Sequence, residues 1–152
     1  MPSTGAATIA AATLYTEEFV IATRAGHRFA ADPTLDRYCA MRHLVVSLTG
    51  DTHGFVDDAL ARQGRERRVA LSVPSFLMAL SVIAETDLAT ALPRRFVAMH
   101  AARFGVAGTA PPLRLPRFRI RAIAPRVALM DAGVAWLFET MRGLFQAKPG
   151  RP

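Results

Sequence analysis

A serine that follows an alternating apolar segment and begins an apolar helix is the first candidate for chemistry in this sequence. Ser75 comes after the segment 67–73, with Pro74 between them. A serine in such a turn is the nucleophile of many hydrolases, but that turn needs small residues two positions to either side. Val73 and Leu77 occupy those positions. The pattern therefore favours a helix N-cap, although a capping hydroxyl at a cleft can also contact a ligand.

A polar loop supplies the second group of candidates. Residues 49–54 read Thr-Gly-Asp-Thr-His-Gly and lie between the apolar run 43–48 and the helical spacing of 55–60. The loop lacks the Gly, Lys and Ser pattern of a phosphate-binding P-loop. His53 and Asp51 could act as an acid/base pair. A capping or solvent-facing role for His53 is the alternative.

The histidines and the single cysteine give no metal-binding pattern. Cys39, His43 and His53 stand at no recognised metal-ligand spacing, and a single cysteine excludes an internal disulfide. We therefore expect no metal and no other cofactor. Cysteine usage of this kind also fits a reducing compartment, so we expect a cytoplasmic protein.

Composition excludes a wholly disordered chain and a membrane-spanning one. The 152 residues are 51% hydrophobic and 20% charged, which suits one domain with a sizeable core. The longest apolar stretch, 77–84, is far shorter than the roughly 20 residues that span a bilayer. The net charge of +7 permits polyanion binding, but the arginines form no single stripe. We expect no membrane contact and no nucleic-acid-binding surface.

Strands and helices alternate along the predicted chain. Apolar runs and alternation predict five strands, at 14–23, 43–48, 67–73, 88–92 and 118–123. Helical spacing with capping residues predicts five helices, at 35–39, 54–63, 76–84, 94–104 and 131–145. The alternation predicts an α/β fold, with a mainly parallel sheet flanked by helices. The predicted organisation is a loose segment over 1–12, one domain over 13–146 and a disordered tail over 147–152.

The predicted sheet brings the two candidate loops to the same edge. In such sheets ligands bind outside the carboxyl ends of the strands, where helix N-termini point inward. The loop 49–54 follows the second strand, and the turn at Pro74 and Ser75 follows the third. Backbone amides at helix starts suit a carboxylate-bearing ligand, whereas Asp51 counts against a strongly anionic one.

Six segments, in order, resemble the regulatory domain of LysR-type transcriptional regulators. They are 14–27 with its EFVIATRAGH, 43–50 (HLVVSLTG), 54–60 (GFVDDAL), 67–76 (RRVALSVPSF), 86–95 (TDLATALPRR) and 131–137 (DAGVAWL). The likeness runs from about residue 14 to 145. It is strongest to the branch that includes activators of nodulation and of aromatic-acid degradation.

The resemblance implies a sensor rather than an enzyme. The family's effector domain has two lobes of the periplasmic-binding-protein type 2, with a small-molecule cleft between them, and a DNA-binding helix-turn-helix precedes it. Here the likeness begins at the crossing into the second lobe, so we expect one such lobe that binds a small carboxylate or aromatic effector. DNA would then be contacted only through a missing N-terminal domain. Absence of the first lobe would expose apolar surface near 14–23 and 131–145, which predicts at least a homodimer.

The resemblance also implies which residues contact the effector. Carried over position by position, they are Thr49, Gly50, His53, Ser75, Phe76 and Thr86. Ser75 stands where the aromatic-acid branch often has histidine, so the identity of the effector does not transfer. Two alternatives stay open. One is a small α/β hydrolase-like enzyme that uses Ser75 or the pair of His53 and Asp51, and the other is a protein-interaction module without an effector site.

Overall fold

A computed structural model describes residues 8–146 of the chain, which fall into two compact units. The small unit consists of residues 8–17 and 118–146, and the large unit is Glu18–Arg117. The strands are β1 Ile9–Glu17, β2 Phe19–Arg24, β3 Arg42–Val46, β4 Arg68–Val73, β5 Thr90–Pro93, β6 Val106–Thr109 and β7 Phe118–Pro125. The helices are α1 Leu35–Ala40, α2 Phe55–Ala61, α3 Phe76–Ala84, α4 Arg94–Phe104 and α5 Ala132–Gln146. Short 3-10 turns lie at Arg28–Ala31 and Arg126–Met130.

In the large unit four strands run in one direction and β2 runs against them. β3 pairs with β4 in parallel. A parallel bridge from His43 to Ala89, the residue before β5, shows that β5 runs in the same direction. β2 lies between β5 and β6 and is antiparallel to both. The predicted α/β class is confirmed. Strand β2 departs from the predicted parallel arrangement, since its pairings with β5 and with β6 are both antiparallel.

Strand β2 divides the core of the large unit into two layers, because successive side chains point to opposite faces. Val20 and Ala22 pack in one layer with residues of α3 and α4, including Leu80 and Val97. Ile21 packs in the other layer with a set from the α1 and α2 side, namely Phe29, Tyr38, Val56 and Leu60. Full burial of an aliphatic or aromatic side chain of this size contributes about 1.5–3 kcal/mol. Helices therefore cover both faces of the sheet.

The small unit is an antiparallel pair of strands with one helix packed on it. β1 pairs with β7 from Ile9 opposite Pro125 to Glu17 opposite Phe118. The rings of Tyr15 in β1 and Phe145 in α5 stack with their centroids 5.1 Å apart. Within residues 8–146 no helix is long and apolar enough to cross a bilayer.

Two predictions about the start of the chain are wrong in part. The single strand expected over 14–23 is two strands, β1 and β2, which belong to different units. The segment 1–12, expected to be loose, is a strand from Ile9 onward. Its Ala-rich sequence shows no period of its own, and its strand state comes from pairing with β7, which is more than a hundred residues away. Residues 1–7 and the expected tail 147–152 lie outside the described residues.

The sequence patterns also failed to predict β6. This strand has four residues, and one of them is Gly108, a residue type that is depleted in strands. A Cβ atom at Gly108 would lie 3.1 Å from Val20 Cγ2 and 3.2 Å from Val97 Cγ1. The glycine is therefore explained by the close approach of β6 to the core.

One histidine is part of the hydrophobic core. His43 in β3 is fully buried, and its Nε2 donates to the Tyr38 carbonyl oxygen at 2.8 Å. Its ring also lies edge-on to the Tyr38 ring, with the centroids 4.5 Å apart. Burial lowers the pKa of His43 to about 4. The folded protein therefore favours neutral His43.

This burial predicts a pH-dependent stability. In the unfolded chain His43 has its ordinary pKa near 6.5, so between pH 6.5 and 4 the unfolded state binds more protons than the folded one. The free energy of unfolding should therefore fall as the pH drops through this window, by as much as about 3 kcal/mol. Urea denaturation at pH 7 and pH 4.5 measures the loss.

The matched variants are His43→Gln, whose amide can donate the same hydrogen bond without titrating, and His100→Asn on α4. The pH-dependent loss should shrink in His43→Gln and persist in His100→Asn. An equal loss in the parent and in His43→Gln would show that other groups cause it.

Candidate functional site

The residues that follow β3 and β4 lie side by side at one edge of the large-unit sheet. The Ser47 backbone N–H donates to the Val73 carbonyl oxygen at 2.9 Å, immediately beyond the last parallel pair of Val46 and Val73. The loop that contains Thr49 therefore begins beside the turn that contains Ser75. The carboxyl ends of the two parallel strands form this edge, which we call the carboxyl edge.

A network around Ser47 organises the first candidate loop. Ser47 Oγ accepts hydrogen bonds from the backbone N–H groups of Thr49 and Asp51, at 3.3 and 3.1 Å. The Thr49 hydroxyl donates to the Asp51 carboxylate at 2.5 Å. Gly50 has a φ of +82°, a conformation that favours glycine and allows the chain to turn between Thr49 and Asp51. Ser47, which was not among the predicted site residues, is thus the residue that holds Thr49 and Gly50 in place.

The second candidate segment is a capped helix start. Ser75 Oγ accepts a hydrogen bond from the Met78 backbone N–H at 3.2 Å, so the predicted N-cap is confirmed. Phe76, the first residue of α3, is 40% exposed, and its ring lies 5.4 Å from that of Phe96. Phe96 in turn lies 4.7 Å from the ring of His100. A partly exposed aromatic cluster therefore adjoins the capping hydroxyl.

The proposed acid/base pair of His53 and Asp51 is not formed. His53 Nε2 donates to Asp58 Oδ1 at 2.9 Å, while Asp51 accepts from Thr49. The hydrogen bond to Asp58 raises the pKa of His53. Both members of this pair are more than half exposed to solvent. The first turn of α2 presents Asp58 to the preceding loop, and this arrangement could not be seen in the order of residues 49–54.

A buried ion pair holds the start of α2. Arg67 makes two hydrogen bonds to the Asp57 carboxylate, from Nε at 2.9 Å and from a terminal nitrogen at 2.8 Å, and its side chain is 3% exposed. Asp57 also accepts from the Gly54 backbone N–H at 2.8 Å. Burial opposes ionisation of the Asp57 carboxyl, but the hydrogen bond and charge of Arg67 outweigh it and lower its pKa. The pair fixes where the candidate loop ends.

Thr86 is not brought to the carboxyl edge. Its hydroxyl donates to the Val82 carbonyl oxygen at 2.9 Å, so it lies just past the end of α3. Ser75 is at the other end of this nine-residue helix, which is about 14 Å long. Thr86 therefore makes its hydrogen bond to the C-terminal turn of α3, and the structure separates it from the other five candidates.

Two concave regions of the large unit lie away from most of these candidates. A cleft of about 480 Å³ is lined by His53 together with the residues Thr52, Asp57, Ala61, Arg65, Glu66, Arg67 and Val69. A cavity of about 780 Å³ lies beside the first residue of β3, Arg42. Neither is lined by Thr49, Gly50, Ser75 or Phe76. These four candidates therefore lie outside both concave regions.

A mixed sheet with helices on both faces, and with loops and a capped helix start gathered at its carboxyl edge, is the architecture of one lobe of an α/β ligand-binding domain. The chain belongs to the family of the LysR substrate binding domain, which matches residues 4–146. The predicted periplasmic-binding-protein type 2 lobe and the family assignment are both confirmed.

Three known proteins define the likeness. The chain is 30% identical over 133 residues to the HTH-type transcriptional activator NahR of Pseudomonas putida, which is 87% of this chain and 44% of NahR. It thus spans less than half the length of that relative. The regulatory domain of MexT, a transcriptional activator in Pseudomonas aeruginosa, superposes with a TM-score of 0.78 at 29% identity, covering 91% of this chain and 68% of that one. The effector binding domain of QuiR in complex with shikimate has the same fold, with a TM-score of 0.67 at 12% identity over 93% of this chain and 66% of that one.

The cap at the start of α3 gives a prediction for stability. Ser75→Ala removes the acceptor for the Met78 N–H and should lower the free energy of unfolding by about 1 kcal/mol. Ser75→Asp keeps an acceptor and places a negative charge at the helix start, so it should retain most of the parent's stability. Urea denaturation at pH 7 measures both. No loss in Ser75→Ala would mean that solvent caps the helix equally well.

Proposed function

We propose that the large unit senses a small carboxylate-bearing effector at its carboxyl edge, as the ligand-binding part of a LysR-type transcriptional regulator. The observation that carries this proposal is the hydrogen bond from Ser47 to Val73, which places the loop of Thr49 beside the start of α3. The first backbone N–H groups of a helix lack intrahelical acceptors and favour an anion. The effector carboxylate is assigned to this helix start, next to the Ser75 hydroxyl.

The neighbouring side chains favour an effector that also has an apolar or aromatic part. Phe76 is partly exposed and packs against Phe96, and Phe19 stacks on Phe55 at 4.2 Å where β2 and α2 begin. Aromatic rings bind a ligand ring in stacked or edge-to-face geometry. QuiR, which shares the fold, was solved with shikimate, a small cyclic carboxylate.

Asp51 limits the charge of such an effector. The Asp51 carboxylate accepts a hydrogen bond from the Thr49 hydroxyl, so its negative charge is held in the loop at the carboxyl edge. A second negative charge on a ligand would be repelled by the Asp51 carboxylate. A monocarboxylate is therefore favoured over a dicarboxylate or a phosphate.

A sensor is also favoured over a hydrolase. A serine nucleophile needs a base within hydrogen-bond reach, and that base needs an orienting group. Ser75 Oγ is engaged by the Met78 N–H, and His53 is paired with Asp58. We propose that sensing resides here, with DNA binding in a helix-turn-helix domain of the kind for which NahR is named, and that the protein acts in the cytoplasm.

The proposed site can be tested with a ligand screen. We expect some small aromatic monocarboxylates, such as benzoate and salicylate derivatives, to raise the melting temperature, since a ligand at 100 times its Kd stabilises a protein by about 2.7 kcal/mol. Ser75→Trp should abolish the shift because the indole fills the helix start. Ser75→Ala, which loses only the cap, and Thr86→Trp, at the far end of α3, should keep it. A compound that shifts parent and Ser75→Trp equally binds elsewhere.

We further propose that the chain forms at least a dimer through the small unit. Three large apolar side chains of helix α5 are more than half exposed, namely Trp136 at 68%, Leu137 at 51% and Leu144 at 70%. Apolar surface of this extent on one helix favours association.

The oligomer can be tested by sedimentation velocity over a range of concentrations. The parent should sediment as a dimer or larger, and the double variant Trp136→Glu with Leu144→Glu should sediment as a monomer. Met99→Glu replaces an apolar side chain that is 77% exposed on α4 and should leave the association unchanged. A parent that stays monomeric at every concentration contradicts the proposal.

A further inference from the structure

A cavity at the amino end of β3 has the character of a second ligand site. It has a volume of about 780 Å³ and lies where β2 ends at Arg24, β3 begins at Arg42 and the chain approaches β5 at Asp87. β3 is five residues long, so this end is about 16 Å from the carboxyl edge. The cavity is therefore separate from the site proposed above.

The charges that line the cavity do not balance. Its lining contains four arginines, Arg24, Arg28, Arg37 and Arg42, and one carboxylate, Asp87. Arg24 is paired with Asp87 at 2.8 Å, and Arg37 with Asp32 at 3.1 Å. Arg28 and Arg42 have no ion-pair partner within residues 8–146. Arg28 and Arg42, both exposed to solvent, thus give the cavity lining an excess of positive charge.

The rest of the lining is fixed and partly apolar. Phe29 is 1% exposed, and Met41 is half-buried beside it in the cavity wall. The Phe29 backbone N–H donates to His27 Nδ1 at 3.1 Å, which holds the turn that carries Arg28. The site thus combines one partly exposed apolar side chain, Met41, with guanidinium groups, whose planar forks match carboxylate and phosphate oxygens.

We propose that this cavity binds a small organic dianion. Arg28 and Arg42 neutralise its two charges, and its carbon skeleton packs against the partly exposed Met41 side chain. A monoanion would leave one guanidinium unpaired, and a long polyanion would extend beyond a cavity of this size. The ligand class therefore differs from that of the carboxyl edge, where Asp51 disfavours a second negative charge.

The test is isothermal titration of the 152-residue chain with phenyl phosphate and, separately, with succinate, at constant ionic strength. Saturable binding at one site is expected for at least one of them, and the stronger of the two assigns the ligand as a phosphate ester or a dicarboxylate. Arg28→Gln and Arg42→Gln should each weaken binding at least tenfold. Arg62→Gln removes the same charge from an exposed position outside the cavity lining and should change the affinity less than twofold.

Asp87→Asn gives a change in the opposite direction that a folding defect cannot imitate. It removes the one carboxylate in the lining and should tighten binding several-fold. Ser75→Trp should bind as the parent does, which separates this proposal from the effector site. Absence of saturable binding for both probes, equal weakening by Arg62→Gln, or weakening by Asp87→Asn would each overturn the proposal.

Discussion

Strand β2 is buried on both faces, and the other elements of the large unit are arranged to cover it. Val20, Ile21, Ala22 and Thr23 are each less than 5% exposed, and both edges of the strand are hydrogen-bonded, to β5 and to β6. A strand of this kind needs an apolar layer on each side, because alternate side chains face opposite ways. Helices α3 and α4 supply one layer, and α1 and α2 supply the other. The requirement to cover β2 therefore fixes where α3 packs, and its capping residue Ser75 is positioned with it.

Polar groups inside these layers connect the core to the loops. A buried charge is costly unless it is paired, and removal of one partner of a buried ion pair costs about 3–5 kcal/mol. The pair of Arg67 and Asp57 meets that requirement, and Asp57 then reaches the Gly54 N–H at the start of α2. The loop of residues 47–54 is thus held at one end by β3 and at the other by a buried ion pair. Its exposed middle is held by side-chain hydrogen bonds to Ser47 and Asp51.

Elements with local end signals were predictable from the sequence. Helices α3 and α4 have the predicted bounds because Ser75, Pro93 and Gly105 mark their ends within one or two residues. The adjacency of the two candidate loops was predictable as well, because parallel strands share an edge. What could not be predicted depends on distant partners: the strand state of Ile9–Glu17 needs β7. The pairing of His53 with Asp58 depends on side-chain geometry that the order of residues does not give, whereas the predicted bounds of α3 already put Thr86 beyond the end of that helix.

The two parts of the carboxyl edge differ in how far a bound effector can move them. A ligand shifts a conformational equilibrium only by its differential affinity for the two states. The start of α3 is anchored by its cap and by buried Ala79 and Leu80, so it can change little on binding. The loop of residues 47–54 has exposed hydrogen bonds and no buried apolar side chain, and such segments open at the lowest free energy. Effector binding at the carboxyl edge would therefore act mainly on this loop, and the rigid helix start would supply the affinity.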